Sequence, residues 1–249
     1  MLFHGRWTLL SVPTSGGNEP YNASIGGVSC TSTTFCLAVG SAQEPNATIA
    51  TADTYDGRTW TAVPVPRFPN SVLGRPGEII TGTKVTKLPW DQALSGVACA
   101  SPTDCTASGA FYASVVSEQL GGSFVMHFNG TAISKELLLA KGPVFGHPGG
   151  SLGGIACAAA KRCASFVVSF NLLHAFVGPT SQNAVQLGGR GWFTSSWRYK
   201  KRLMAQPSDI SCLRNGRCLI VGRVEELIAG GINYPNGRWI PLALQASAR

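Results

Sequence analysis

The eight cysteines fall into four pairs of one spacing: Cys30 and Cys36, Cys99 and Cys105, Cys157 and Cys163, Cys212 and Cys218. A Cys-x5-Cys pair can ligate a metal, cycle between thiol and disulfide, or act as a fixed cross-link. Structural zinc sites use two to four intervening residues and need two pairs to converge. Redox centres favour Cys-x-x-Cys, which does not occur here. If each pair lies on the two arms of a hairpin, residues six apart face each other with Cβ atoms about 4.5–5.5 Å apart. Modest closure then brings the sulfurs to bonding distance. An even number of cysteines at one repeated spacing fits a disulfide framework, so four local bridges are expected. They imply an oxidising compartment, extracellular or at the cell surface.

Other chemistry is less well signalled. Glycoside hydrolysis needs two carboxylates facing each other across a cleft, and sialidase-type action adds arginines that grip the substrate's acid group. Among the twelve acids, Asp53, Glu78, Asp91 and Glu118 could line a cleft, yet no spacing pairs them. His4, His127, His147 and His174 show no His-x-His or His-Glu-x-x-His pattern, so neither metal nor any other cofactor is expected. No Gly-x-Ser-x-Gly elbow or phosphate-cradling loop is present. A propeller-type glycoside hydrolase or lyase is therefore the alternative, and a non-enzymatic binding or scaffold module the main expectation.

Net charge is +8, from 20 basic and 12 acidic residues. Basic clusters occur at Arg198, Lys200, Lys201 and Arg202 and at Arg67, Arg75, Lys84 and Lys87. Such a balance favours carbohydrate acids or an anionic cell-wall polymer as partner, against the plainer reading of a solvated rim. Nucleic acid is not expected, because no nucleic-acid fold motif accompanies the charge. Trp7, Trp60 and Trp239 occupy equivalent positions and read as packing residues. Trp90 and Trp197 fall outside that register and suit a sugar-stacking surface. The candidate ligand-binding residues are thus Trp90, Trp197, Arg198, Tyr199, Arg75 and Lys84.

The elements that must position these residues follow from a repeat. A β-branched residue stands two before each first cysteine (Val28, Val97, Ile155, Ile210) and a small residue one before it. Four positions after the second cysteine come Gly40, Gly109 and Gly222, with Val167 as the exception. The units recur at 69, 58 and 55 residues, the intervals between successive first cysteines Cys30, Cys99, Cys157 and Cys212. Each unit reads as four strands: one ending at the first cysteine, one starting at the second, a third such as "ATIATADTY", and a fourth after a glycine turn, such as "NGRWIPLAL" at 236–244 in the last unit. Asp56-Gly57 and Asn129-Gly130 suit the positive φ of two-residue hairpin turns. With 30 glycines, 15 prolines and 13% charged residues, the composition fits short strands and tight turns. No apolar run approaches the roughly 20 residues that span a bilayer as a helix.

Four-stranded sheets repeated about an axis form a β-propeller. The fold expected is all-β: one propeller domain over 1–249, with repeats at 25–66, 94–141, 152–204 and 207–245 and an inserted loop at 67–90. The pattern V/I-S/A-C-x5-C-x3-G followed by N/D-G-x-W and Val-Pro resembles the repeats of secreted bacterial propeller-like proteins, loosely akin to sialidase and kelch propellers. "DGRTW" at 56–60 is similar to the sialidase Asp-box turn, one residue short, and carries no catalytic residue. Residues 4 to 13, "HGRWTLLSVP", match a fourth strand with no three strands before it. Residues 1–15 therefore read as a leftover outer strand of a truncated larger propeller, which would also account for the missing export signal. The sequons at Asn22, Asn46 and Asn129 would carry glycans only in a eukaryotic secretory pathway.

Overall fold

The computed structural model describes residues 2–3, 6–7, 23–45, 47–67, 78–81, 84–87, 91–115, 118–138, 151–160, 162–168, 182–188, 191–197, 203–226 and 238–247. These residues form strands and turns, with no helix among them. β1 (Leu2–Phe3) and β2 (Arg6–Trp7) pair as a short ribbon. The first sheet holds β3 (Ala23–Ser32), β4 (Phe35–Glu44), β5 (Ala47–Tyr55) and β6 (Trp60–Val63). A second ribbon pairs β7 (Glu78–Thr81) with β8 (Lys84–Lys87). The second sheet holds β9 (Asp91–Ser101), β10 (Asp104–Val115), β11 (Glu118–Phe128) and β12 (Ile133–Leu138). The third holds β13 (Ser151–Ala159), β14 (Arg162–Val168), β15 (Gln182–Gly188) and β16 (Gly191–Trp197). The fourth has three strands among the described residues, β17 (Leu203–Cys212), β18 (Arg217–Glu226) and β19 (Arg238–Ser247). Every sheet is an antiparallel meander of successive strands.

The first three units have the expected four strands, but the fourth departs from the reading. "NGRWIPLAL" was expected to form a fourth strand; instead Arg238–Ser247 pairs directly with β18, from Arg217↔Ser247 to Glu226↔Arg238. The insertion also differs in part from a loop, since β7 and β8 pair from Glu78↔Lys87 to Thr81↔Lys84. Isoleucine, valine and threonine supply the β propensity there. Of the expected leftover strand, the described residues pair with each other, Leu2↔Trp7 and Phe3↔Arg6; the rest lies outside the described residues.

The units stack in chain order through their first strands: β9 lies against β3, β4 and β5, β13 against β9 and β10, and β17 against β13 and β14. The cores sit between sheets. Leu37, Val39, Ala52 and Val63 of the first unit meet Leu94, Val97, Phe124, Met126 and Phe128 of the second. Ala98 meets Ile155 and Cys163, and Ala164 meets Ile210, Cys218 and Ile220. Because a middle sheet has a neighbour on both faces, its second strand cannot alternate apolar and polar residues. Hence "CTASG" of the second unit is apolar or small throughout and fully buried; "CLAVG" of the first unit is buried to the same degree.

The glycine four residues after the second cysteine has a steric cause. Gly40 pairs with Ile25 and Gly109 with Leu94, each beside a bulge in the first strand. A Cβ built on Gly40 would run into the carbonyl oxygen of Ser24, and one on Gly109 into that of Ala93. On the far side the Phe124 ring lies 2.8 Å from the Gly109 Cβ position, so neither neighbour can yield easily. Gly109→Ala is expected to lower stability by about 1–3 kcal/mol through overpacking, read from urea midpoints; an unchanged midpoint would refute this close approach.

The turns also differ from the two-residue form. Pairing ends at Tyr55↔Trp60 and Phe128↔Ile133, leaving four-residue loops. Gly57 (φ 97°) and Gly130 (φ 102°) supply the expected positive φ. The Asp56 carboxylate accepts hydrogen bonds from the Arg58 and Thr59 N–H groups at 2.8 Å, and the Asn129 carbonyl accepts those of Thr131 and Ala132 at 3.1 and 3.0 Å. These side chains satisfy the turn amides, which is why Asp and Asn stand there.

Candidate functional site

The cysteines are resolved by register. Cys30 pairs opposite Cys36, Cys99 opposite Cys105, Cys157 opposite Cys163 and Cys212 opposite Cys218. Cα separations of 3.9–4.0 Å and S–S distances of 1.98–2.07 Å make all four disulfides. With no free cysteine, the thiolate readings, metal or redox, have no ligand left to use. The second, third and fourth bridges also touch the preceding unit. The Cys99 N–H donates to Ser29 Oγ at 3.0 Å, Cys157 Sγ lies 3.6 Å from the Ala98 carbonyl oxygen, and Cys212 Sγ lies 3.6 Å from that of Ala156.

The candidate acids do not converge as a pair. Asp91 opens β9, and its carboxylate accepts the Thr48 N–H, tying the second unit to the start of β5. Glu78 lies opposite Lys87 in β7, and Glu118 opposite Val115 in β11. Asp53 sits in β5 between Ala38 and Ala62 and is 6% exposed. Among the described residues its Oδ1 has no hydrogen-bond partner, and burial pushes its carboxyl up to about 6. The equivalent residue of the second unit is Met126, since Cys36↔Tyr55 and Cys105↔Phe128 set a common register. Asp53 is thus a carboxyl where its counterpart is an apolar core residue.

The consequence is a pH-dependent cost. The folded pKa lies above the unfolded value of 3.8, so the native state binds more protons between about pH 4 and 6. Stability from this group is complete below pH 4, falls as pH rises through 6, and stays low above. Asp53→Asn is expected to match the wild type near pH 4 and exceed it by on the order of 2 kcal/mol at pH 7. Urea unfolding across that range checks this, and a difference independent of pH would refute it.

Other polar side chains are engaged in the fold. Asp104 lies 3.6 Å from His127 across the second sheet, and Arg67 bonds Glu44 at 2.7 Å. The Asp104–His127 pair was not foreseen from sequence. Its signal is positional: Asp104 precedes Cys105, and His127 precedes Phe128, the residue opposite Cys105. Trp60 packs its ring on buried Tyr55 at 5.1 Å, as expected of a packing residue. Trp197 ends β16 opposite Gln182, and Lys84 begins β8 opposite Thr81, so these two candidates stand on different sheets. Trp90, Arg75, Arg198 and Tyr199 lie outside the described residues, as do His4, His147 and His174.

A cavity of about 270 Å³ opens at the outer edge of the first sheet, lined by Ile49, Ala50, Ala62, Val63, Pro64, Val65, Arg67 and Gln92. Its walls are mostly apolar, and the Arg67 guanidinium at its rim is already paired with Glu44. Among the described residues no three metal-ligating side chains cluster, and no helix is long and apolar enough to cross a membrane.

The fold and these sites define an all-β protein of four repeated antiparallel sheets, each pinned by a hairpin disulfide, three of which lie at the contact with the preceding sheet. Compared with known protein families and with curated proteins, the sequence matches none.

Proposed function

We propose that this chain is a secreted or cell-surface β-propeller-type binding or scaffold module whose ligand is a carbohydrate or acidic polymer. One observation carries the reading: every unit's opening hairpin is stapled by a disulfide, and at each described contact between units that hairpin lies against the unit before it, which makes a rigid frame suited to presenting loops. The +8 charge selects anionic ligands, and the insertion at 67–90, with Arg75, Lys84 and neighbouring Trp90, is the favoured recognition element. Trp197, Arg198 and Tyr199 form the second candidate patch.

The test is retention on immobilised anionic wall polymer and acidic polysaccharide at rising salt. Binding should weaken steeply with salt, and Arg75→Ala with Lys84→Ala should weaken it about tenfold. Salt-independent binding, or none to any anionic polymer, would overturn the proposal. The hydrolase alternative has one feature in its favour, the raised carboxyl of Asp53, since a general acid needs such a pKa. It predicts sugar release that Asp53→Asn abolishes.

A further inference from the structure

The stacking of the units is directional, so every sheet has two unlike faces. On the first strand, the residue two before the first cysteine and that cysteine itself turn toward the preceding unit. The residue one before turns toward the following unit, as Ser29 does in meeting Cys99. On the second strand, the positions one and three after the second cysteine turn toward the following unit. Leu37 and Val39 lie in the core shared with the second unit, Thr106 touches Cys163 of the third, and Ala164 packs on Ile210 of the fourth.

This rule identifies what each end of the stack lacks. Val97, Ile155 and Ile210 face a preceding unit and are 6–8% exposed, whereas Val28, their equivalent in the first unit, is 59% exposed. Ile25 is exposed beside it, although its equivalent Leu94 is buried. At the other end, Leu219 and Val221 are the equivalents of buried Leu37 and Val39, yet they are 49% and 41% exposed. Ser211, the counterpart of Ser29, is exposed with them. Cys36 and Ala38, on the preceding-unit side of β4, are already buried, so the open part of the first unit's face is β3. Within the chain a first strand is also what covers the second strand of the unit before it, as β9 covers β4.

We propose that β3 of one chain docks on the β17–β18 face of a second copy, head to tail, reproducing the contact that β9 makes with β3 and β4. Ile25 and Val28 then cover Leu219 and Val221, and Ser211 of the second copy meets Cys30 as Ser29 meets Cys99. The occupant is specified by continuity, because the open β3 and the open β17–β18 face match the first-strand part of an interface already built three times between successive units. Asp209 is the one departure. It stands where the other units carry Gly27, Gly96 and Gly154, and its Oδ1 accepts the Ile210 N–H at 2.8 Å on the side of the third unit, 2.9 Å from where a Cβ on Gly154 would lie, away from the proposed contact. Unlike faces joined in this way close into a ring when the rotation allows and otherwise extend. Two four-unit chains give eight sheets, within the range of closed propellers.

Sedimentation of the full chain tests this, with Val28→Asp and Val221→Asp as single variants. Both positions are exposed, so the variants should fold, which far-ultraviolet circular dichroism and thermal unfolding check. The wild type should associate with concentration to twice 26.1 kDa or more. Either variant should weaken association at least ~30-fold. Mixed in equal amounts, the two variants should form a species of two chains and no larger, because each retains the face the other has lost. A wild type that stays at the mass of one chain at all soluble concentrations overturns the proposal, as does assembly that neither variant disturbs.

Discussion

Reduction of the four disulfides should abolish cooperative folding of this protein under conditions where the oxidised form is stable. Each bridge closes a seven-residue loop and, in the chain-entropy view, stabilises its unit by about 2–2.5 kcal/mol. Four together contribute about 8–10 kcal/mol, comparable to the 5–15 kcal/mol that holds a typical domain together. The bridges also act where the sheets touch, so a loosened hairpin withdraws packing from the preceding unit as well. Urea unfolding with and without a reductant measures this, with intact mass confirming the gain of two hydrogens per bridge. A reduced protein that keeps a sharp transition near the oxidised midpoint would contradict the account.

The second large effect lies in the core between the first two sheets. Phe124 is fully buried, stacks 6.5 Å from Phe111, and shares its cluster with Leu37, Val39 and Leu94. Its neighbours are strands held by ladders on both sides, which limits how far they can collapse into a void. Phe124→Ala should therefore cost about 3–5 kcal/mol. For a chain of this size, the melting temperature should fall by about 10 °C or more. Phe124→Leu should cost markedly less, since it keeps most of the volume. Equal losses for the two variants would indicate that the core is not packed as described.

Local features of the fold were legible in the sequence because their causes are local. The cysteines of each pair stand six positions apart, which sets both the hairpin register and the side-chain parity, and this parity brought the sulfurs together in all four units. The glycine four positions on was visible as a pattern, but its cause was not. It is a close approach to a carbonyl of the partner strand at a bulge, and a bulge leaves no mark in a single strand's sequence. The last unit was misread for a related reason. "NGRWIPLAL" carries the same turn and tryptophan as the fourth strands of other units, yet it pairs with β18 because pairing is decided by which edge is free and how much chain precedes it.

The candidate site was less legible. Asp91 and Asp53 were singled out together as acids that could share a cleft, and they serve separate ends: one ties two units through an amide, the other is buried between alanines. Carboxylates look alike in a sequence, and only neighbours distinguish them. Asp104 and His127 were passed over because they are 23 residues apart and adjoin only through sheet register.

By itself, the sequence determined the all-β class, the four-unit period and the pairing of every cysteine, since each depends on spacing within a hairpin or recurrence along the chain. Tertiary structure alone decided burial. Val28 and Val97 share residue type, strand and position relative to cysteine, yet one is exposed and the other is core, because solvent exclusion belongs to whatever sheet lies on top and not to the strand that carries the side chain.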